Sequence, residues 1–430
     1  MNHKLKLGKI KPASVSSLKH SFTGKNLSSF GGMAIIKSIM EKMELTRKIN
    51  SQFEVFNFRK ELNIGSLFEQ IITTMISGGT CIQDTEMLND EYLMNLFGWD
   101  RIPDDGTYAR RFSEFKTADN KKLRQLIRNE AIKDLKDQSL FITIDPTVQT
   151  VYGNQENAAV GYNPNKQGRK SYFPFIAYEF SQGRLLDAML RPGNTSSSTD
   201  IIEFITPLLK IKHRKGITFR LDKGCAVSEL LDTIHKEGQY YIGKAKMFST
   251  IWEQIGNLKD SNWKTIDKDI QVSEFRYKGK RHIVVEPMCT KSGEQLNLWG
   301  KNDAKVSVIV TNRPDNAETI WRIYNKGAMV ETSIKELKND FSALSFRTHS
   351  FCANEIFLLL GVLSWNITRK VREVDSLESH KNCTMKKLRW LILMIPAVIS
   401  KSSRYFKVKL NKNNPFQGVF WNVLRVFIPT

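Results

Sequence analysis

The sequence predicts an α/β protein, a mixed-sheet core interrupted by a β-rich insertion and preceded by a helical domain. Three observations carry that prediction. Three strand-like segments follow one another across 139–192 with short loops between them, which makes an antiparallel meander. Helices and strands then alternate from 199 to 245. Before residue 136, by contrast, apolar residues recur three or four apart, the spacing of amphipathic helices.

Taken in order, residues 1–28 are rich in Lys, Ser and Asn and form a basic, flexible arm. Residues 29–136 form the helical domain, with "MAIIKSIMEKM" (33–43), "SLFEQIITTMI" (66–76), "DTEMLNDEYLMNLFG" (84–98) and "KKLRQLIRNEAIKDL" (121–135) as its helices. Inside it, "IPDDGTYARRFSEF" (102–115) reads as a turn leading into a short helix that carries Arg110 and Arg111, an arrangement that can dock on DNA.

The core occupies 137–246 and 306–370. Its first part holds the strands 139–152, "YFPFIAYEF" (172–180) and "RLLDAMLRP" (184–192). A helix at 199–210, the strand "GITFRLD" (216–222), a helix at 226–238 and the strand "YYIGKA" (240–245) complete it. Three consecutive strands followed by helix-linked ones match the RNase H-like order; a plain Rossmann fold would alternate strand and helix from the start, and no Gly-rich phosphate turn follows the first strand. Residues 247–305 form the insertion, in which "VSEFRYKGKRHIVVEPM" (272–288) alternates like a hairpin. A strand at 304–312 and a helical stretch at 316–341 return the chain to the core, and 371–430 is a basic C-terminal region. No internal repeat is present.

Charge is distributed unevenly. The chain carries 65 Lys+Arg against 44 Asp+Glu over 430 residues, yet residues 1–40 hold seven Lys and no acid, and residues 379–430 hold ten Lys+Arg and no acid. Two basic ends bracket a nearly balanced middle, which suits a polyanionic partner better than a merely solvated surface. Cysteines 81, 225, 289, 352 and 383 are widely spaced, with no CxxC pair and no His at metal-like spacing, and read as reduced thiols of an intracellular protein. The basic N-terminus lacks the apolar core of a signal peptide. The C-terminal apolar run "WLILMIPAVI" (390–399) is too short to span a bilayer, so a soluble protein is expected.

The chemistry rests on three acids. "SLFITIDPTVQTVYG" (139–153) runs from a buried-type strand straight into Asp145 and Pro146. Asp222 ends a second strand, before Lys223-Gly224 and a helix, at the strand-end rim where ligands collect in open α/β sheets. Glu331 lies seven residues after Tyr324 and seven before Lys338, so a continuous helix puts all three on one stripe. Three carboxylates on one site cannot all stay ionised without a cation. Their oxygens favour Mg²⁺ or Mn²⁺, and two such ions can activate a water or 3′-hydroxyl on one side and stabilise the leaving oxygen on the other. Lys338 would hold a backbone phosphate as a point charge. Each acid alone has a plainer explanation: a turn at Asp145-Pro146, a helix N-cap at Asp222, a solvated helix charge at Glu331 beside Lys335 and Lys338. Together, in this order and on a basic chain, the metal-site reading prevails.

"ITIDPTVQTVYG…NAAVGYNPNKQGRKSYFPFIAYE", "RLDKGCAVSELLDTI" and "YNKGAMVETSIKELKNDF…SFCANEIFLLLGVLSWNI" resemble the DDE transposases of bacterial insertion sequences, in the branch with a Tyr-x2-Arg-x3-Glu-x6-Lys signature. The resemblance runs from about 65 to "RYFKVKL" at 404–410, and its most specific part is the strand-Asp block with the "GYNPNK" loop. It implies that Asp145, Asp222 and Glu331 are the catalytic, metal-binding triad, with Mg²⁺ or Mn²⁺, as two ions, for cofactor. It implies that Tyr324 and Lys338 contact DNA near the scissile phosphate. Position 327, Arg in the family, is Gly here; Lys326 or Arg322 would supply charge, Lys326 without Arg's bidentate geometry. In relatives with a β insertion, a Trp of that insertion can receive a flipped base; Trp252, Trp263 and Trp299 are the candidates, and Trp299 is singled out. The expected function is binding of terminal inverted repeats, DNA cleavage and transfer of 3′ ends to target DNA, by a homodimer in the bacterial cytoplasm at the nucleoid. The rivals are a related metal-dependent nuclease and a non-catalytic DNA-binding descendant.

Overall fold

The computed structural model describes residues 20–56, 62–136, 138–211, 216–267, 269–288, 306–326, 328–374, 377, 383–402 and 406–428. The chain divides into two compact units. One comprises residues 112–339 and 346–362, the other residues 1–111, 340–345 and 363–430.

The first of these is built on a nine-stranded sheet. Its strands in chain order are β1 (Leu140–Pro146), β2 (Phe175–Glu179), β3 (Arg184–Met189), β4 (Ile217–Leu221), β5 (Tyr240–Lys244), β6 (Lys264–Asp267), β7 (Ile270–Tyr277), β8 (Lys280–Pro287) and β9 (Ser307–Thr311). They lie in the order β6-β7-β8-β9-β5-β4-β1-β2-β3. β1, β4 and β5 are mutually parallel; β2, β3 and β9 run antiparallel to their neighbours. The 272–288 hairpin forms as the alternation predicts, with Tyr277 paired to Lys280 across the turn. Its strands extend the same sheet through β9 rather than building a separate one, because β8 pairs β9 from Arg281 opposite Thr311 to Val285 opposite Ser307.

Period-two alternation sorts the side chains. Leu140, Ile142 and Ile144 of β1 and Ile217, Phe219 and Leu221 of β4 share one apolar cluster with helices α1 (Ile201–Leu209) and α2 (Ser228–Lys236). Farther along, Trp252 and Ile255 of helix α3 (Ser249–Gly256) pack on Val284 and Val308. Ile242, Ile283 and Ile309 point the opposite way, onto Ile320, Ile323 and Tyr324 of helix α4 (Ala317–Asn325). The residues of β1 and β4 with the other parity, among them Asp145 and Arg220, therefore belong to the α4 face.

Two elements of this unit differ from the sequence expectation. The first strand stops at Pro146, and the residues after it form a small three-stranded sheet, 149–150 and 159–160 flanking 170–172. The stretch 316–341 is two helices, α4 and α5 (Ala328–Asn339), with Lys326 in the turn between them. Gly327 lies outside the described residues.

The other unit gathers helices Met33–Lys42, Leu45–Gln52, Ile64–Ser77 and Glu91–Phe97 with a small sheet of Leu27–Ser28, Ala397–Lys401 and Phe406–Leu410. The predicted helix over 84–98 is a 3-10 turn (Ile82–Leu88) and a short helix, because Asp90 caps the second one by accepting from Leu93 N at 3.0 Å. Buried Glu69 is satisfied by Lys37 Nζ at 3.3 Å, by Trp99 Nε1 at 3.1 Å and by the Thr46 hydroxyl. The helix Phe351–Arg372 is long and apolar enough to cross a membrane by length and composition, but 89% of its most apolar window is buried, as in the core helix of a globular protein.

Candidate active site

Ile144 and Leu221 are register partners on parallel neighbours β1 and β4. The residues that follow them are Asp145 and Asp222, so both acids leave the C-terminal rim of the sheet on backbones about 4.8 Å apart. Asp222 starts the turn into α2: its carbonyl accepts from Cys225 N and Ala226 N, both at 3.0 Å. Asp222 and Glu331 are exposed and Asp145 is half-buried. Burial, and next the Asp222 charge, push the Asp145 carboxyl up to about 6; Glu331 adds to the rise, while Arg220 and Lys338 oppose it. The five residues therefore share one electrostatic neighbourhood.

Arg220 is not among the candidates that the sequence alone singles out. It precedes Asp222 by two, so it shares that residue's face of the strand, and this is the signal that would have found it. Its Nε donates to Tyr324 O at 2.9 Å and its guanidinium lies 4.6 Å from the Tyr324 ring centroid. The contact ties the end of α4 to β4. Burial raises the Tyr324 phenol above its ordinary value, with Arg220 acting in the opposite direction. Tyr324 is thus held at the site by Arg220, although it shares no helix with Glu331.

Lys338, in the last turn of α5, donates from Nζ to Val148 O at 2.7 Å and to Thr147 Oγ1 at 3.3 Å. It grips the chain just after Asp145-Pro146. Burial lowers its pKa and the Asp145 charge opposes that shift. Glu331 sits in the first turn of α5, where the helix dipole also favours an acid.

Behind Asp222, Gly224 is pressed against the loop after β3: a Cβ there would lie 2.6 Å from Ser197 Cβ. Cys225 Sγ donates to Ser197 O at 3.4 Å. Burial pushes this thiol up to about 12, so it is a packing group and not a nucleophile. Arg191, in the same loop, holds Ser196 O at 2.9 Å and Thr199 O at 2.8 Å while its guanidinium stacks 3.5 Å from the Phe175 ring centroid.

Among the described residues no group of three or more His, Cys, Asp and Glu is drawn together as a metal-holding cluster. The donor set nevertheless fits a hard divalent cation: three carboxylates, no thiolate or imidazole, and a carboxyl at Asp145 whose charge is disfavoured by the other two.

The remaining candidates are dispersed. Lys326 is exposed at the C-cap of α4. Arg110 is exposed and donates to Thr107 Oγ1 at 3.0 Å, while Arg111 turns onto the Phe56 carbonyl. Of the three tryptophans, Trp252 is core and Trp263 packs against it; Trp299 lies outside the described residues.

The family described as Transposase DDE domain group 1 matches residues 10–428. No curated protein matches the sequence. Among solved structures, a piggyBac transposase synaptic complex with hairpin DNA is similar at 12% identity and a TM-score of 0.49, covering 84% of this chain and 79% of that chain.

Proposed function

The chain belongs to the transposase DDE domain group 1 family, and from that premise we propose that it binds the terminal inverted repeats of its own insertion sequence, cleaves the DNA and joins the 3′ ends to a target. One observation carries the reading. Asp145 and Asp222 leave matched positions of two parallel strands, and Asp145 responds to the charges of Asp222 and Glu331 together. The strand order β3-β2-β1-β4-β5, with β1, β4 and β5 parallel, supports an RNase H-like core.

Asp145, Asp222 and Glu331 would hold Mg²⁺ or Mn²⁺, two ions in all, and the ions would supply activation of the attacking hydroxyl and stabilisation of the leaving oxygen. Lys338 orients Asp145 by fixing the chain after Pro146, and its charge favours the ionised carboxylate. The Arg220 charge likewise favours the ionised carboxylate from the strand side, and its contacts keep Tyr324 against the site. With Lys338 engaged on Val148 O, a role at a DNA phosphate requires it to exchange that carbonyl for the phosphate oxygen. Residues 29–136, with Arg110, and the basic 371–430 region are the proposed DNA-binding surfaces, with Lys326 a further contact; a homodimer brings two ends together in the cytoplasm, at the nucleoid. Trp299 remains the proposed base acceptor of the insertion.

The test is a cleavage assay on labelled DNA carrying the element's end, with Mg²⁺ or Mn²⁺, using wild type, Asp145→Asn and Glu331→Gln. Cutting at the repeat boundary by wild type alone is expected. Equal binding by all three with no cutting under either metal would favour the non-catalytic descendant instead, and Gly327→Arg would then be the variant to try.

A further inference from the structure

The "GYNPNK" segment has no part in the chemistry above, yet it is attached to the acid rim at both ends. It belongs to the loop that leaves β1 directly after Asp145, where Lys338 holds Val148 O. The small sheet within this loop pairs Gln149 with Tyr172 and Val160 with Lys170. Tyr172 is bridged in turn to Pro192 after β3. Gly161 lies so close to the next loop that a Cβ there would be 1.9 Å from Gly193 O. That second loop is the one whose Ser197 packs on Gly224 behind Asp222. Tyr162 is therefore one packed loop away from Asp222.

On this rigid base the exposed side chains are of two kinds. Tyr162 is 69% exposed, although Asn163 beside it is buried, donating to Thr150 Oγ1 at 3.0 Å and accepting from Lys166 N at 3.1 Å. Lys166, Arg169 and Lys170 are exposed, and no acid occurs from Asn157 to Tyr178. Lys166 lies 5.1 Å from the ring centroid of Tyr152, itself 55% exposed. An aromatic ring presented on an ordered backbone loses little entropy when it stacks, and cations around it match a phosphate backbone.

We propose that this loop is a platform for the free end of a DNA duplex, with the Tyr162 ring stacked on the terminal base and Arg169 and Lys170 on the adjoining phosphates. The proposal rests on the transposase reading for its ligand and adds the surface that would seat a cut end beside the acids.

The experiment compares binding of full-length protein, in EDTA, to a blunt-ended duplex and to a dumbbell of the same sequence without free ends. Tyr162→Ala is expected to weaken binding to the blunt duplex about tenfold, the scale of one base–aromatic stack, and to leave the dumbbell unchanged. Tyr162→Phe should bind as wild type, since the ring and not the hydroxyl makes the contact. Arg169→Gln and Lys170→Gln should each reduce the slope of log affinity against log salt by about 0.9. Equal loss on both DNAs, or no loss on either, overturns the platform. Wild type that prefers the open end but never cuts in Mg²⁺ or Mn²⁺ overturns the transposase chemistry and leaves the platform standing. Wild type that cuts, with Tyr162→Ala binding ends normally, overturns the platform alone. Binding to neither DNA overturns both.

Discussion

Asp145 and Asp222 are the next residues after a register pair, Ile144 and Leu221, on parallel strands. Two acids so placed repel one another, and the Asp145 carboxyl is pushed up to about 6 by burial and by that neighbour. A raised carboxyl favours the folded state while it is protonated. Its stabilising contribution is complete below the ordinary carboxylate pKa of about 4 and is lost as pH rises through about 6. In EDTA, Asp145→Asn should therefore gain in melting temperature relative to wild type as pH is raised from about 4 to about 8. A difference that stays flat across that range would contradict the strained pair.

Divalent cation should act in the opposite direction. Mg²⁺ or Mn²⁺ neutralises the carboxylates, so wild type at a pH of about 8 is expected to melt higher with metal than without it. Asp145→Asn and Asp222→Asn should each lose most of that increment. Thermal melts with and without EDTA measure it directly, independently of any cleavage.

Replacing Lys338 with Met leaves Val148 O without its side-chain donor and removes a cation from beside Asp145. The expected cost is about 1–3 kcal/mol in denaturant unfolding. The Asp145 carboxyl should move higher still, carrying the pH-dependent part of the melting curve upward. Lys338→Arg should retain the charge effect on Asp145.

Arg220→Lys keeps a positive charge but cannot both donate to Tyr324 O and lie flat over its ring. A stability loss of about 1–2 kcal/mol is expected, with a change in the near-ultraviolet circular dichroism of the buried aromatics. An unchanged melting curve would mean that α4 is held to β4 by its apolar face alone.

Gly161→Ala drives a methyl into the Gly193 carbonyl and should cost about 1–3 kcal/mol. Gly168 is the control. It has a φ of +73° and no atom within 4 Å of where a Cβ would lie, so Gly168→Ala should cost only the left-handed backbone penalty of about 1–2 kcal/mol. Chemical denaturation of the two variants separates a close approach between loops from backbone strain.

Much of this protein is legible in the chain itself. Alternation and run length mark the strands from Leu140 to Lys244 and the hairpin at Tyr277–Lys280, because a half-buried sheet forces period two on the sequence. The strand-terminal position of Asp145 and Asp222 is equally local, since an acid following a buried run has to emerge at a rim. What depends on the third dimension is whatever joins residues distant in sequence. The register that aligns Ile144 with Leu221, the Arg220–Tyr324 contact and the grip of Lys338 on Val148 O each bring together residues far apart along the chain. No local spacing encodes such pairings. The break after Asn325 removes the single stripe expected for Tyr324, Glu331 and Lys338, and packing of α4 against the sheet, with Arg220 at its end, returns Tyr324 to the same site. The kinds of residue and their order along the chain came from the sequence; their convergence came from the pairing of strands and the packing of helices, which depend on contacts no short window contains.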